Sequence, residues 1–243
     1  MRAADPGSPT FMHRVAAVAT LLLSAAAAMF AYGSLEANLG WLAAWIALSA
    51  LYTVAGVGVW RGEPWAPSLT FGVVVWGALA WTQSMFGLGI TPLTVTAAGG
   101  HWAAVALLAV TPSALERRHR ASLALAGAAL PGAVLFGLAP MQTLTVSAVL
   151  MVGTALLFGM AMGIARGRTW GLLAAGVAVP MIVAGVVLAP TTVGMEGPHP
   201  MLPAWVQFRG VLLLRFVGVV AATLALSSVL PFFGPIVRFI RGR

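Results

Sequence analysis

Outside the last apolar run, which holds Arg209 and Arg215, arginine is confined to every second gap between the runs of this chain. The runs are Val15–Tyr32, Leu39–Trp60, Ser68–Ile90, Leu93–Leu115, Ala121–Ala139, Met141–Ala165, Thr169–Ala189 and Trp205–Leu230. Each is long enough to cross a bilayer as a helix, which takes about 20 residues. Arg2 and Arg14 precede the first run, and Arg61 follows the second. Arg117, Arg118 and Arg120 follow the fourth, Arg166 and Arg168 the sixth, and Arg238, Arg241 and Arg243 the eighth. The gaps after the first, third, fifth and seventh runs contain neither Arg nor Lys. One missed or invented span would have mixed the two sets. Under the positive-inside rule the arrangement puts both termini in the cytoplasm.

The fold expected is therefore all-α: a polytopic transmembrane helical bundle of about eight spans. It forms a single domain over residues 15–230, between a polar tail, residues 1–14, and a basic cytoplasmic tail, residues 231–243. Composition agrees, since 60% of the 243 residues are hydrophobic and only 7% are charged, against about a quarter charged in a soluble domain. Strands are not expected, because the runs lack the alternation of a membrane barrel. The first run, with Arg14 before it, fits a retained helix or a cleaved signal peptide. Trp41, Trp60, Trp65, Trp170 and Trp205 lie near span ends, where interfacial anchors belong. Pro131 and Pro180 fall within spans and should kink them. Gly159 and Gly163 form a GxxxG suited to close helix packing, and Gly56 and Gly58 suit the same. No internal repeat is evident.

The formal charge of +8 comes from arginine alone. It sits in loops between spans, so it is read as topology rather than as a nucleic-acid surface. The chain has no cysteine, which excludes disulfides and thiolate chemistry. No metal-binding, Walker or dinucleotide motif is present, so no metal or cofactor is expected. Five acidic residues, none deep in a span, speak against ion-coupled transport.

The polar groups that remain define a candidate site. Arg209 and Arg215 lie in the last span, roughly 6 Å and 15 Å below Trp205 by helical rise. A charge at mid-bilayer costs at least about 2.5 kcal/mol, so Arg215 needs a partner or a ligand. Gln83 lies about 10 Å, and His101 about 12 Å, below the outer ends of their spans. Glu36, Glu196 and His199 lie in outer loops. Each has an ordinary alternative. Arg209 can snorkel, Arg215 can serve a structural pair, His101 can pack, Gln83 can bridge helices, and the loop acids can be solvated. Gly99 and Gly100 beside His101 would admit a helix or a ligand. Read as a site, His101, Glu36 and Glu196 supply acid–base catalysis. Arg209, Arg215, Gln83 and His199 then bind the substrate.

Phe86–Val110 (FGLGITPLTVTAAGGHWAAVALLAV) resembles the central segment of YndJ-like bacterial membrane proteins, where a similar FG…LT run leads into an Ala- and Gly-rich helix containing His. His199–Val220 (HPMLPAWVQFRGVLLLRFVGVV) is similar to that family's last segment. Arg209 stands where the family has His, Leu213 where it has Asn, and Ala97 and Gly99 where it has helix histidines. The resemblance implies the fold and assigns no reaction.

Two functions follow as expectations. The first is a cofactor-independent biosynthetic enzyme of the bacterial inner membrane, an isomerase or cyclase acting on a lipophilic substrate, neutral or anionic. The second is a non-catalytic component: a lipid-binding, assembly or exporter subunit. Both have the lipid bilayer as a partner, and neither involves nucleic acid.

Overall fold

The computed structural model describes residues 10–35, 39–138, 144–188 and 215–232. Eight helices are long and apolar enough to cross a membrane among these residues. They are α1 (Phe11–Gly33), α2 (Leu39–Trp60), α3 (Ala66–Leu88), α4 (Pro92–Ala109), α5 (Arg117–Leu138), α6 (Leu144–Ala165), α7 (Trp170–Leu188) and α8 (Arg215–Phe232). No strand occurs among the described residues. The chain is thus a multi-pass helical membrane protein.

Helix ends follow local chemistry. α1 begins four residues before the expected Val15, because Thr10 caps it. The Thr10 hydroxyl meets His13 Nδ1 at 2.8 Å, and the Thr10 amide donates to the same nitrogen. α4 starts at Pro92, whose missing N–H would have no intrahelical acceptor there. The Thr94 amide donates to the hydroxyl of the cap residue Thr91. α5 and α7 continue through Pro131 and Pro180 without a break in helix.

Packing shows a repeat that the residue string hides. α2 and α6 end in matching turns, at Arg61-Gly62-Glu63 and Arg166-Gly167-Arg168, each 105 residues apart. In the first, the amides of Arg61, Gly62 and Glu63 donate to Val57 (2.9 Å), Val59 (3.1 Å) and Gly58 (3.0 Å). In the second, those of Arg166, Gly167 and Arg168 donate to Met162 (3.1 Å), Ile164 (3.1 Å) and Gly163 (2.8 Å). Both are Schellman caps, with the central glycine left-handed at φ 72° and 61°. Four residues are shared at matching places: Gly58 and Gly163, Arg61 and Arg166, Gly62 and Gly167, Trp65 and Trp170. Gly58 packs on Trp65 and Ala66, and Gly163 on Gly171 and Trp170. The close packing expected of Gly163 is thus against the start of α7.

The match extends to α1 and α5. Ala16, Ala17, Thr20, Ser24, Ala27 and Ala31 are buried on α1; Ser122, Leu123, Ala126, Leu130, Ala133 and Gly137, each 106 positions later, are buried on α5. α1 packs on α2 and α4, and α3 on α4. In the second half α5 packs on α6 and α6 on α7. Gly132 of α5 approaches Ala221 of α8, and Gly218 of α8 approaches Val186 of α7. Two four-helix units therefore follow one another in the same orientation, as an even number of spans per unit requires.

The units meet chiefly through α3 and α5. A Cβ on Gly72 would collide with the backbone of Ala124 and Ala128, and one on Gly127 with the backbone of Leu69. Small residues let the two backbones approach, and dispersion between them replaces the hydrophobic drive that lipid does not provide. α5 also covers α2, where Val134 packs against Ala44 and Leu48. This junction is built mainly of apolar and small residues, with the Trp76 indole nitrogen of α3 beside Gly132 of α5.

Candidate functional site

His101 is placed by the α3–α4 turn. The Thr94 hydroxyl donates to the Gly89 carbonyl at 3.0 Å, tying the start of α4 to the turn behind it. α4 then runs back along α3 and against α1. His101 lies on its inner face and is buried, 6% exposed.

Both ring nitrogens of His101 are engaged. Nδ1 lies 2.7 Å from the Ala97 carbonyl, one turn back on α4. A carbonyl only accepts, so Nδ1 carries the hydrogen. In the neutral ring Nε2 is then an acceptor, and Tyr52 of α2 donates its hydroxyl to it at 3.0 Å. Tyr52 is itself buried, and the two rings meet edge to face. α3 closes the third side. A Cβ on Gly77 would lie 2.6 Å from both Tyr52 Oη and His101 Nε2. The absent side chain at Gly77 is what lets a hydrogen-bonded pair fit between three helices.

The two glycines beside His101 make no tight contact with another helix. Gly99 faces open space, and Gly100 meets Leu23 of α1 in ordinary contact at 3.7 Å. The close approach occurs at Gly77 instead. Beside the pair, Trp102 Nε1 donates to the Thr82 hydroxyl at 3.0 Å, and Thr82 donates to the Ala78 carbonyl. A second polar cluster joins α1 to α2. Ser24 lies 3.1 Å from the Ser49 hydroxyl and 2.7 Å from that of Thr53.

The other candidate residues lie as follows. Gln83 shares the level of His101, because its neighbour Thr82 binds Trp102, but it is exposed on α3. Arg215 is half-buried at the first described residue of α8. At the other end of α8, Phe232 meets the His119 ring edge to face, with centroids 6.1 Å apart. Seventeen residues separate Arg215 from Phe232, about 25 Å of helix. Arg215 is thus far along α8 from the end that meets α5. His101 is close to mid-depth, because its partner Tyr52 is eight residues, about 12 Å, from the end of α2. His101 and Arg215 thus differ in depth and belong to different four-helix units. Glu36, Glu196, His199 and Arg209 lie outside the described residues.

Sequence reasoning passed over Tyr52 and Gly77. Tyr52 carried a signal, being one of only two tyrosines and the one well inside a span. Gly77 carried none, since the chain has 28 glycines. No group of three His, Asp or Glu that could hold a metal occurs among the described residues. Comparison of the chain with family models, with curated proteins and with solved structures finds no match.

Proposed function

We propose that this chain is a non-catalytic component of the bacterial inner membrane, a lipid-binding or assembly subunit. In this reading His101 locks helices. The carrying observation is the closure of the His101–Tyr52 pair. Ala97 and Tyr52 engage both ring nitrogens, and Gly77 of α3 packs against Nε2. An acid–base group must come within hydrogen-bond reach of the proton it moves. Here that reach is taken by the protein itself.

A second reading, the isomerase or cyclase, keeps one specific support. A tyrosine hydroxyl resting on a histidine nitrogen is a pair along which a proton can pass, once a substrate displaces one partner. Glu36, Glu196, Arg209 and His199 would then complete the site. The YndJ-like relation is proposed on the same footing, from Phe86–Val110.

One experiment separates them. Cells lacking the gene are supplied with wild-type or His101→Gln protein at matched membrane levels, and lipids and metabolites are profiled. The subunit reading expects matching profiles, with the variant less stable to heat. A product that falls by about 10²–10⁴ at matched protein level would establish the enzyme instead.

A further inference from the structure

The end of the bundle that carries the arginines is not evenly charged. Among the described residues, it presents Arg14, Arg61 and Glu63 in the first unit, all exposed. In the second it presents Arg117, Arg118, Arg120, Arg166 and Arg168, with Glu116 beside them, again all exposed. The two units have the same turn geometry, so the fold does not require the difference. Topology does not require it either, since one or two arginines already mark the side of a loop.

A specific contact gathers the second set. His119, within the α5 run of arginines, approaches the Ile164 carbonyl of α6 through Nε2 at 2.7 Å. That carbonyl also accepts the Gly167 amide. The bond joins the start of α5 to the α6–α7 turn and brings the two arginine stretches side by side. The counterpart of His119 in the first unit, His13, turns back to Thr10 and makes no such bridge to Val59. Depth is fixed as well. Ser122 and Leu123, just after Arg120, are fully buried, and Arg166 directly follows the last residue of α6. These guanidinium groups therefore sit at the level of lipid headgroups. Trp170, 42% exposed, lies beside Arg168 at the same level. Arginine pairs with phosphate through two parallel N–H donors.

We propose that the start of α5 and the α6–α7 turn form a binding face for the phosphate headgroup of an anionic phospholipid. The assignment rests on the membrane placement of the spans and is independent of the role of His101. Nucleic acid is disfavoured as a partner, because the face lies within the headgroup layer.

The test uses the full-length protein in a neutral detergent. It is titrated with phosphatidylglycerol, phosphatidylcholine or inorganic phosphate, and the thermal midpoint is followed. Phosphatidylglycerol should raise the midpoint at concentrations where phosphatidylcholine and phosphate do not. Each arginine near an anionic surface is worth about a fivefold change in binding. Arg166→Gln with Arg168→Gln should thus weaken the phosphatidylglycerol response by roughly 25-fold. Arg61→Gln, at the equivalent turn, should change it by less than fivefold. Equal responses to the two lipids would overturn the proposal, as would an equal loss in Arg61→Gln. A response to inorganic phosphate matching that to phosphatidylglycerol would assign the face to a free anion and overturn the lipid. If the double variant fails to accumulate, the wild-type comparison of the three ligands decides alone.

Discussion

The Tyr52 hydroxyl donates to His101 Nε2 at 3.0 Å, joining α2 to α4 through a gap that Gly77 leaves open on α3. In lipid, a polar group without a partner has no water to turn to, so such a pair holds three helices in register.

The pair should behave as one unit. Tyr52→Phe and His101→Gln should each lower stability, and the double variant should lose less than the sum. Hydrogen bonds between membrane helices give couplings of about 0.6 kcal/mol, with a maximum of about 1.7. Unfolding of the four proteins in mixed micelles measures the coupling. Strict additivity would mean that the bond adds nothing to stability.

Gly77 and Gly99 should respond in opposite ways to alanine. At Gly77 the new methyl group meets Tyr52 and His101, and overpacking of this kind costs about 1–3 kcal/mol. At Gly99 nothing lies within 4 Å, so alanine should be neutral or stabilise the helix by up to about 1 kcal/mol. Thermal midpoints of the two variants check the pair. A sensitive Gly99 would mean that a ligand or partner covers that face.

The two Schellman turns should be equally sensitive. Gly62 and Gly167 hold φ values of 72° and 61°, and an alanine forced there costs about 1–2 kcal/mol. Gly62→Ala and Gly167→Ala should therefore shift the thermal midpoint by similar amounts. A loss at one turn only would break the equivalence of the two units.

Orientation can be read with single cysteines, since the chain has none of its own. Ile90 lies exposed in the α3–α4 turn, and Arg118 is exposed at the opposite end of the bundle. By the positive-inside rule, a cysteine at Ile90 should react with an impermeant thiol reagent in intact cells. One replacing Arg118 should react only after permeabilisation. The reverse pattern would invert the topology.

The existence and order of the spans were determined by sequence alone. A bilayer sets the length of every crossing segment and excludes charge from it, so apolar runs and arginine gaps state the architecture directly. α2 was legible to the residue, because Leu39 and Trp60 mark where the apolar run begins and ends. What helices do to one another is a different matter. Tyr52 and His101 are 49 positions apart, and nothing local tells either one which face will be buried. Nor does the sequence say that Phe232, near the end of α8, meets His119 at the start of α5, 113 positions earlier. The repeat was hidden for a related reason. Lipid-facing positions drift freely among apolar residues, while the turn bonds and the buried stripe that preserve it belong to backbone geometry and packing. Those are properties of the assembled bundle, and only tertiary structure decided them.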